Sequence, residues 1–381
     1  MTTKPLPARF EEFADARKDG FLKVKKIKDD GGHVAGTFCT YTPVELLDAA
    51  GLHTVMLCGM SDETIPDAET QLPKNLCPLI KSSYGFALSD KCPYTYFADI
   101  IVGETTCDGK KKMYEMLDEL KEMYVLQLPQ EVEGEHSRKM WTEELKLFVK
   151  YLEERFDVEV TDEKLRKSAD RHNRLRAAKL RLQELQKLEP APMSSFELYK
   201  FLEGTTFTFD IEGTIQSIHD YADKVEAEYN PEENTGKKRI LITGSPVGGA
   251  IAKISEAVED NDGSVVCFEN CGGIKPARHH VDTEAEDIVE AIGSGYLEIG
   301  CAVMSPDKKR EELLTELVAE FKVDGVIDVV LQACQPYSIE SRAIKNLCQS
   351  LDVPYMMVET DYSQADVGQL QTRIAAFIET L

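Results

Sequence analysis

The chain has 381 residues, 42% hydrophobic and 29% charged, an ordinary globular balance with room for two or three domains. Its net charge of −24 opposes binding to nucleic acid and anionic membranes, and no apolar run approaches the ~18 residues of a membrane span. The N-terminal stretch lacks a signal-peptide core, so the ten cysteines are expected in a reducing cytoplasm, where metal or redox roles outrank disulfides.

Phe10, Phe13 and Ala14, then Phe21, Leu22, Val24 and Ile27, recur at helical spacing and predict short amphipathic helices over residues 1–30. After Gly31-Gly32 the pattern changes. Strands are predicted at 34–38, 52–58, 99–102 and 123–128, with helices at 43–50, after Pro78, and at 110–121. Strands alternating with helices imply βαβ units and a parallel sheet, so residues 31–130 form a first α/β domain.

Residues 131–235 read as a helical connector or cap. Trp141, Leu145, Phe148 and Leu152 form one helical stripe, and Leu175, Leu180, Leu182 and Leu185 lie on a second helix. Such stripes are core, not cofactor sites. Pro190-Ala191-Pro192 breaks the second helix, and Ser194-Ser195-x-Glu197 supplies the capping signal for the next. From residue 236 to 381 the alternation resumes, with strands at 239–243, 264–268, 325–331 and 355–358. Helices are predicted at 248–259, 307–321, 337–351 and 364–381. The fold class is therefore α/β: two Rossmann-like parallel-sheet domains related by internal duplication, with the helical connector between them in sequence.

Six cysteines fall three to each half: Cys39, Cys77 and Cys107, then Cys271, Cys301 and Cys334. None belongs to a C-x-x-C pair, which argues against structural zinc. Most end an apolar run or occupy a Gly/Pro turn, where a thiolate can leave a sheet edge. Cys107 and Cys334 stand at expected helix starts, whose amides lower a thiol pKa and donate to sulfur. Cys271 is followed by Gly272-Gly273, glycines expected to let backbone approach a cluster. Two 4Fe–4S cubanes with three thiolates each leave one open iron apiece, which a bridging sulfide or a substrate would fill. This suits catalysis better than plain electron carriage. Cys58, Cys267 and Cys348 read as packing residues within strands or on a helix. Cys92 is a reserve ligand for the first half, and Cys267 could exchange roles with Cys271.

The turn Gly244-Ser245-Pro246-Val247-Gly248-Gly249 follows a strand and opens a helix, as a phosphate turn would, but matches neither a P-loop nor G-x-G-x-x-G. A tight turn is the preferred reading. Lys110-Lys111-Lys112 reads as a solvated helix face before a docking patch. His279 and Glu359 are weak proton-donor candidates.

Three stretches resemble a known family: Asn75-Leu76-Cys77-Pro78, the run Gly103-Glu104-Thr105-Thr106-Cys107-Asp108-Gly109-Lys110-Lys111-Lys112, and Cys334-Gln335-Pro336-Tyr337-Ser338-x-Glu340. The family is that of the 2-hydroxyacyl-CoA dehydratase and benzoyl-CoA reductase iron–sulfur subunits, and the resemblance runs over nearly the whole chain. Cysteine sets in both halves are most similar to its double-cubane cluster proteins. The acyl-CoA dehydratase subunits usually carry only the first set. The resemblance implies a homodimer and a bridged double cubane held between the two α/β domains. It also implies a separate ATP-hydrolysing activator, itself a 4Fe–4S homodimer of the acetate-kinase/sugar-kinase type. The expected activity is ATP-dependent, low-potential reduction of a small molecule. The alternatives are an iron–sulfur subunit of an acyl-CoA dehydratase or aryl-CoA reductase, and a non-catalytic electron relay.

Overall fold

Strand residues 100–104, 239–244 and 325–331 are buried on both faces, the pattern of parallel sheets covered by helices on each side. The computed structural model describes residues 4–233 and 235–381. They divide into two compact units, Met1–Asp170 with Val281–Tyr296, and Arg171–His280 with Leu297–Leu381.

The first unit opens with a 3₁₀ turn and one fifteen-residue helix, α1 (Asp15–Asp29), in place of several short helices. The helix runs unbroken through Gly20, which lies close against the Pro93 ring. Phe21 packs among Phe10, Phe13, Tyr96 and Phe97. The chain continues through β1 (His33–Thr37), α2 (Val44–Ala49) and β2 (Leu52–Met56). Gly51 ends α2 at φ +80°. Next come α3 (Ile65–Ala68), α4 (Pro78–Leu88), α5 (Pro93–Phe97), β3 (Ile100–Glu104), α6 (Asp108–Asp118) and β4 (Met123–Leu126). The four strands pair in parallel in the order β2-β1-β3-β4. Every residue of the central strand β3 is buried. Helix α7 (Glu135–Phe156) turns Trp141, Leu145, Phe148 and Leu152 fully into the core, as their spacing predicts.

Helix α8 (Asp162–Glu184) carries the chain past the division at residue 171. In the second unit α9 (Ser195–Gly204) and α10 (Ile211–Glu228) pack with the end of α8 through Ala178, Leu182, Leu198, Leu202, Ile218 and Ala222. The capping signal at Ser194 works differently from its sequence pattern. Ser194 makes no cap bond to its own helix. Glu259 instead accepts from the Ser195 amide at 2.8 Å and from both serine hydroxyls.

The second sheet is built from β5 (Lys238–Gly244), α11 (Ile251–Glu259) and β6 (Gly263–Glu269); the chain then passes through α12 (Ile288–Leu297), which up to Tyr296 belongs to the first unit, and returns with α13 (Lys308–Glu320). It is completed by β7 (Gly325–Leu331), α14 (Gln335–Ser350), β8 (Tyr355–Thr360) and α15 (Val367–Ile378). All pairings are parallel, in the order β6-β5-β7-β8. Second strand, first, third, fourth is the order of the first sheet too, as an internal duplication would leave it. Cys267 and Cys348 lie in the core with Leu314, Phe321 and Ile344, so their reading as packing residues holds. Burial pushes the Cys267 thiol far up. No helix among the described residues is long and apolar enough to cross a membrane.

Candidate functional site

In doubly wound sheets the loops beyond the C-terminal strand ends form the ligand site. Cysteines of both units lie there. In the first unit Cys39 lies two residues past β1 and Cys107 occupies the N-cap of α6, just past β3. Cys77 occupies the N-cap of α4, with Pro78 in the first helical position. Cys92 caps α5 and takes the Thr95 amide on its sulfur at 3.5 Å. Helix α4, roughly 16 Å long at 1.5 Å per residue, carries the chain away from Cys77 before Cys92 is reached. Cys58 is not inside a strand as expected. Strand β2 stops at Met56, and the Cys58 sulfur donates to the Phe38 carbonyl at 3.1 Å.

The same carbonyl accepts from Lys110 Nζ at 2.7 Å. The lysine run therefore splits. Lys110 is buried with Met113, Tyr114 and Leu117, while Lys111 and Lys112 pair locally with Asp108 and Glu115. Burial works against the charge on Lys110, and the electrostatics of Tyr114, Cys58, Cys39 and Glu104 outweigh it, so its pKa rises well above the usual value. Glu104, at the end of β3, is fully buried. One of its oxygens accepts from the Thr42 hydroxyl, and the other has no hydrogen-bond partner. Burial pushes its pKa up to about 7, against the opposing pull of Thr42 and Lys110.

In the second unit Cys271 follows the end of β6, Cys301 precedes α13, and Cys334 occupies the N-cap of α14. The Tyr337 hydroxyl lies 3.5 Å from the Cys301 sulfur, and Lys275 Nζ donates to that hydroxyl at 3.4 Å. With the lysine donating, the hydroxyl proton is left to point at sulfur. Burial pushes the Cys301 thiol up to about 11, and Lys275 opposes this. Lys275 also pairs with Glu269 at 2.8 Å. Arg310 holds the other Glu269 oxygen at 3.2 Å, donates to Thr243, lies over the Tyr337 ring and pairs with Glu340. Burial acts to protonate Glu269, but the two cations overcome it and its pKa is lowered. Asp307 caps α13 and its pKa is pushed up to about 7, by burial first and then by neighbouring Glu340.

One expectation here needs revision, and the preferred reading of the Gly244–Gly249 turn holds. The glycines after Cys271 make room for protein: a side chain on Gly272 would strike the Tyr199 ring, and one on Gly273 the Phe268 carbonyl. The Gly244–Gly249 segment is a tight turn, not a phosphate cradle. The Ser245 amide donates to the Val329 carbonyl at 2.8 Å, and Gly244, at φ +110°, lies against the same carbonyl. Sequence reasoning also missed Lys275, Arg310, Glu269 and Asp307. As for the weak proton-donor candidates, Glu359 lies on the exposed face of the edge strand β8, and His279 is buried near the Cys271 segment.

Among the described residues no three His, Cys, Asp or Glu side chains converge as they would on a single metal ion. A cubane takes each thiolate on a different iron, so its ligands need not converge on one point. Three other features fit such a group: cysteines at helix N-caps, a buried cation beside the cysteines of each unit, and a hydroxyl set against Cys301. In the first unit the hydroxyls of Thr40, Thr106 and Tyr114 are buried without hydrogen-bond partners near the same strand ends.

Comparison with known proteins matches residues 39–381 to the model of the 2-hydroxyglutaryl-CoA dehydratase D-component family. YjiM of Escherichia coli (strain K12), which carries a provisional dehydratase-subunit name, is 47% identical over 378 residues, 99% of this chain and 98% of that one. The (R)-phenyllactyl-CoA dehydratase beta subunit of Clostridium sporogenes is 23% identical over 378 residues, 98% of each chain. A benzoyl-CoA reductase subunit of Thauera aromatica is 21% identical over 390 residues, covering 100% of this chain and 99% of its own.

Proposed function

The chain belongs to the 2-hydroxyglutaryl-CoA dehydratase D-component family, and from that membership we propose that it is an iron–sulfur reductase of small molecules. A separate ATP-hydrolysing partner of the acetate-kinase/sugar-kinase type supplies its electrons, and the working form is a cytoplasmic homodimer. The observation that carries this reading is the second cysteine set. Cys271, Cys301 and Cys334 lie beyond the strand ends of the second unit, with Lys275 and Tyr337 beside the first two.

In this reading Cys39, Cys77 and Cys107 hold one cubane and Cys271, Cys301 and Cys334 the other. When bound, the clusters supply single electrons at low potential. The protein's own groups prepare the thiolates. Cysteine must lose its proton to bind iron, so loading releases protons. Lys275 and the Tyr337 hydroxyl favour that loss at Cys301, and Lys110 sits within the field of Cys39 and Cys58. The two buried lysines offset part of the negative charge that thiolates bring.

A second reading has its own support. Relatives named as an acyl-CoA dehydratase subunit and a benzoyl-CoA reductase subunit align end to end with this chain. That reading makes the chain one subunit beside a different partner chain, with a single cubane.

The test is iron and acid-labile sulfide per chain on protein purified without oxygen, with an EPR spectrum of the reduced form. About eight irons with coupled-cluster signals support the double cubane. About four favour the acyl-CoA subunit reading, and zinc in place of iron overturns both.

A further inference from the structure

Each unit buries one glutamate at the C-terminal end of a strand, and the two are treated oppositely. Glu269 has Lys275 at 2.8 Å and Arg310 at 3.2 Å and is held as a carboxylate. Among the described residues Glu104 has no such ion pair. The one cation near it, Lys110, gives its ammonium to the Phe38 carbonyl instead. Thr42 satisfies one Glu104 oxygen, and the other is buried without a partner.

Glu104 is tied closely to the first cysteine set. Thr42, which donates its hydroxyl to Glu104, also donates its amide to the Cys39 carbonyl at 3.2 Å. The strand that Glu104 ends leads directly to Cys107. Lys110 and Tyr114 each lie within the electrostatic reach of Glu104, Cys39 and Cys58 together.

Resting on the iron–sulfur reading above, we infer that Glu104 is the proton-uptake group of the first-unit site: where its carboxyl is ionised, it binds one proton from solvent when an electron arrives at the neighbouring cysteine set. The step balances. A low-potential one-electron donor adds one electron, water supplies one proton to the unpartnered Glu104 oxygen, and the net charge of the site is unchanged. No bond within the protein breaks. When the electron leaves for an acceptor, the proton leaves with it.

The physical basis is the missing ion pair. An added negative charge in a low-dielectric site raises the proton affinity of a nearby carboxyl. A pKa already near 7 means that a small further rise converts Glu104 from mixed to protonated at neutral pH. The groups facing it are Thr42 from the β1–α2 turn and Lys110 and Tyr114 from α6, with the thiols of Cys39 and Cys58 beyond Lys110. Among the described residues the other buried glutamate of the first unit, Glu45 on α2, receives the Tyr296 hydroxyl at 2.8 Å. Glu269, fixed by its two cations, gives no equivalent response in the second unit.

The experiment is a potentiometric titration of the iron-loaded holoprotein across pH 6 to 8, read by EPR, on wild type and Glu104→Gln. In wild type the first-site transition flattens below pH 7, where Glu104 already carries its proton, and above pH 7 approaches a tenfold shift in equilibrium per pH unit, about 59 mV for one electron. Glu104→Gln loses that slope while keeping its iron content. A slope that survives in Glu104→Gln, or a wild-type transition independent of pH, overturns the inference. A reduced-minus-oxidised infrared spectrum of wild type gives the same answer without a variant. A protonated-carboxyl band must grow in on reduction at pH 7, and its absence overturns the inference. Wild type that binds no iron–sulfur cluster fails the parent reading as well. Wild type with clusters but no pH slope fails only the role of Glu104.

Discussion

Tyr337 presents its hydroxyl to the sulfur of Cys301 at 3.5 Å, with Lys275 donating to the same hydroxyl from behind. A hydrogen bond to a ligating sulfur stabilises the reduced, more negative state and raises the potential of what that sulfur holds. Tyr337→Phe removes the bond and leaves the ring in place. The expected result is full iron content with a midpoint potential lower by several tens of millivolts, read by potentiometric EPR.

Of the proposed ligands Cys301 is the most diagnostic, because it is buried and has a defined partner. Cys301→Ser is expected to fold, with unchanged circular dichroism, and to fall from about eight irons per chain to about four. Unchanged iron content would remove Cys301 from the ligand set.

The Lys275–Glu269–Arg310 group is fully buried. Lys275→Met leaves Glu269 with one cation where it had two. A loss of about 3–5 kcal/mol in denaturant unfolding is expected, because a buried charge is left undercompensated. Adding Glu269→Gln to Lys275→Met should recover part of that loss, and a purely additive double variant would show that the pair is not coupled.

Asp307 gives a pH dependence whose sign is fixed. Its folded pKa, about 7, lies above the ordinary aspartate value of 3.8. The folded state therefore holds the proton more tightly. The stability this contributes is complete below pH ~4 and is lost as pH rises through 7. Asp307→Asn keeps an N-cap side chain and cannot ionise. It is expected to be more stable than wild type at pH 8 by a few kcal/mol, and to show little difference at pH 4 in chemical unfolding.

Trp141 is completely buried on α7, against Gly293 of α12. Trp141→Ala opens a large cavity and should cost about 3–5 kcal/mol in denaturant unfolding. Gly293→Val should also destabilise, since an added side chain would press on the Trp141 ring and Leu145.

Local signals in the sequence located the cysteines well. Proline directly after Cys77 and Cys92, and one residue on from Cys334, marks helix starts, and all three cysteines are N-caps. Parallel pairing followed from the alternation of strands and helices. What stayed hidden is long-range. Arg310 reaches Glu269 and Thr243 from 41 and 67 residues away, and in a chain so rich in charge nothing local separates these residues from surface ones. Lys110 was within reach of sequence reasoning. Lys110, Met113, Tyr114 and Leu117 share the i, i+3, i+4, i+7 spacing, so the lysine stands on the apolar stripe of its helix. The charge run drew attention away from the spacing. Ser194 shows the opposite failure, because a correct local pattern was overridden by Glu259 arriving from another helix.

The segment Val281–Tyr296 belongs to the first unit although the chain on both sides of it belongs to the second. It brings Gly293 against Trp141 and the Tyr296 hydroxyl to Glu45. On the ribosome, the first unit therefore has an unfinished surface until nearly 300 residues have been made. By then β5 and β6 of the second unit have already emerged. The first unit cannot be completed before the second has begun to emerge, and a fragment cut after residue 170 would lack Gly293 beside Trp141 and the Tyr296 hydroxyl at Glu45.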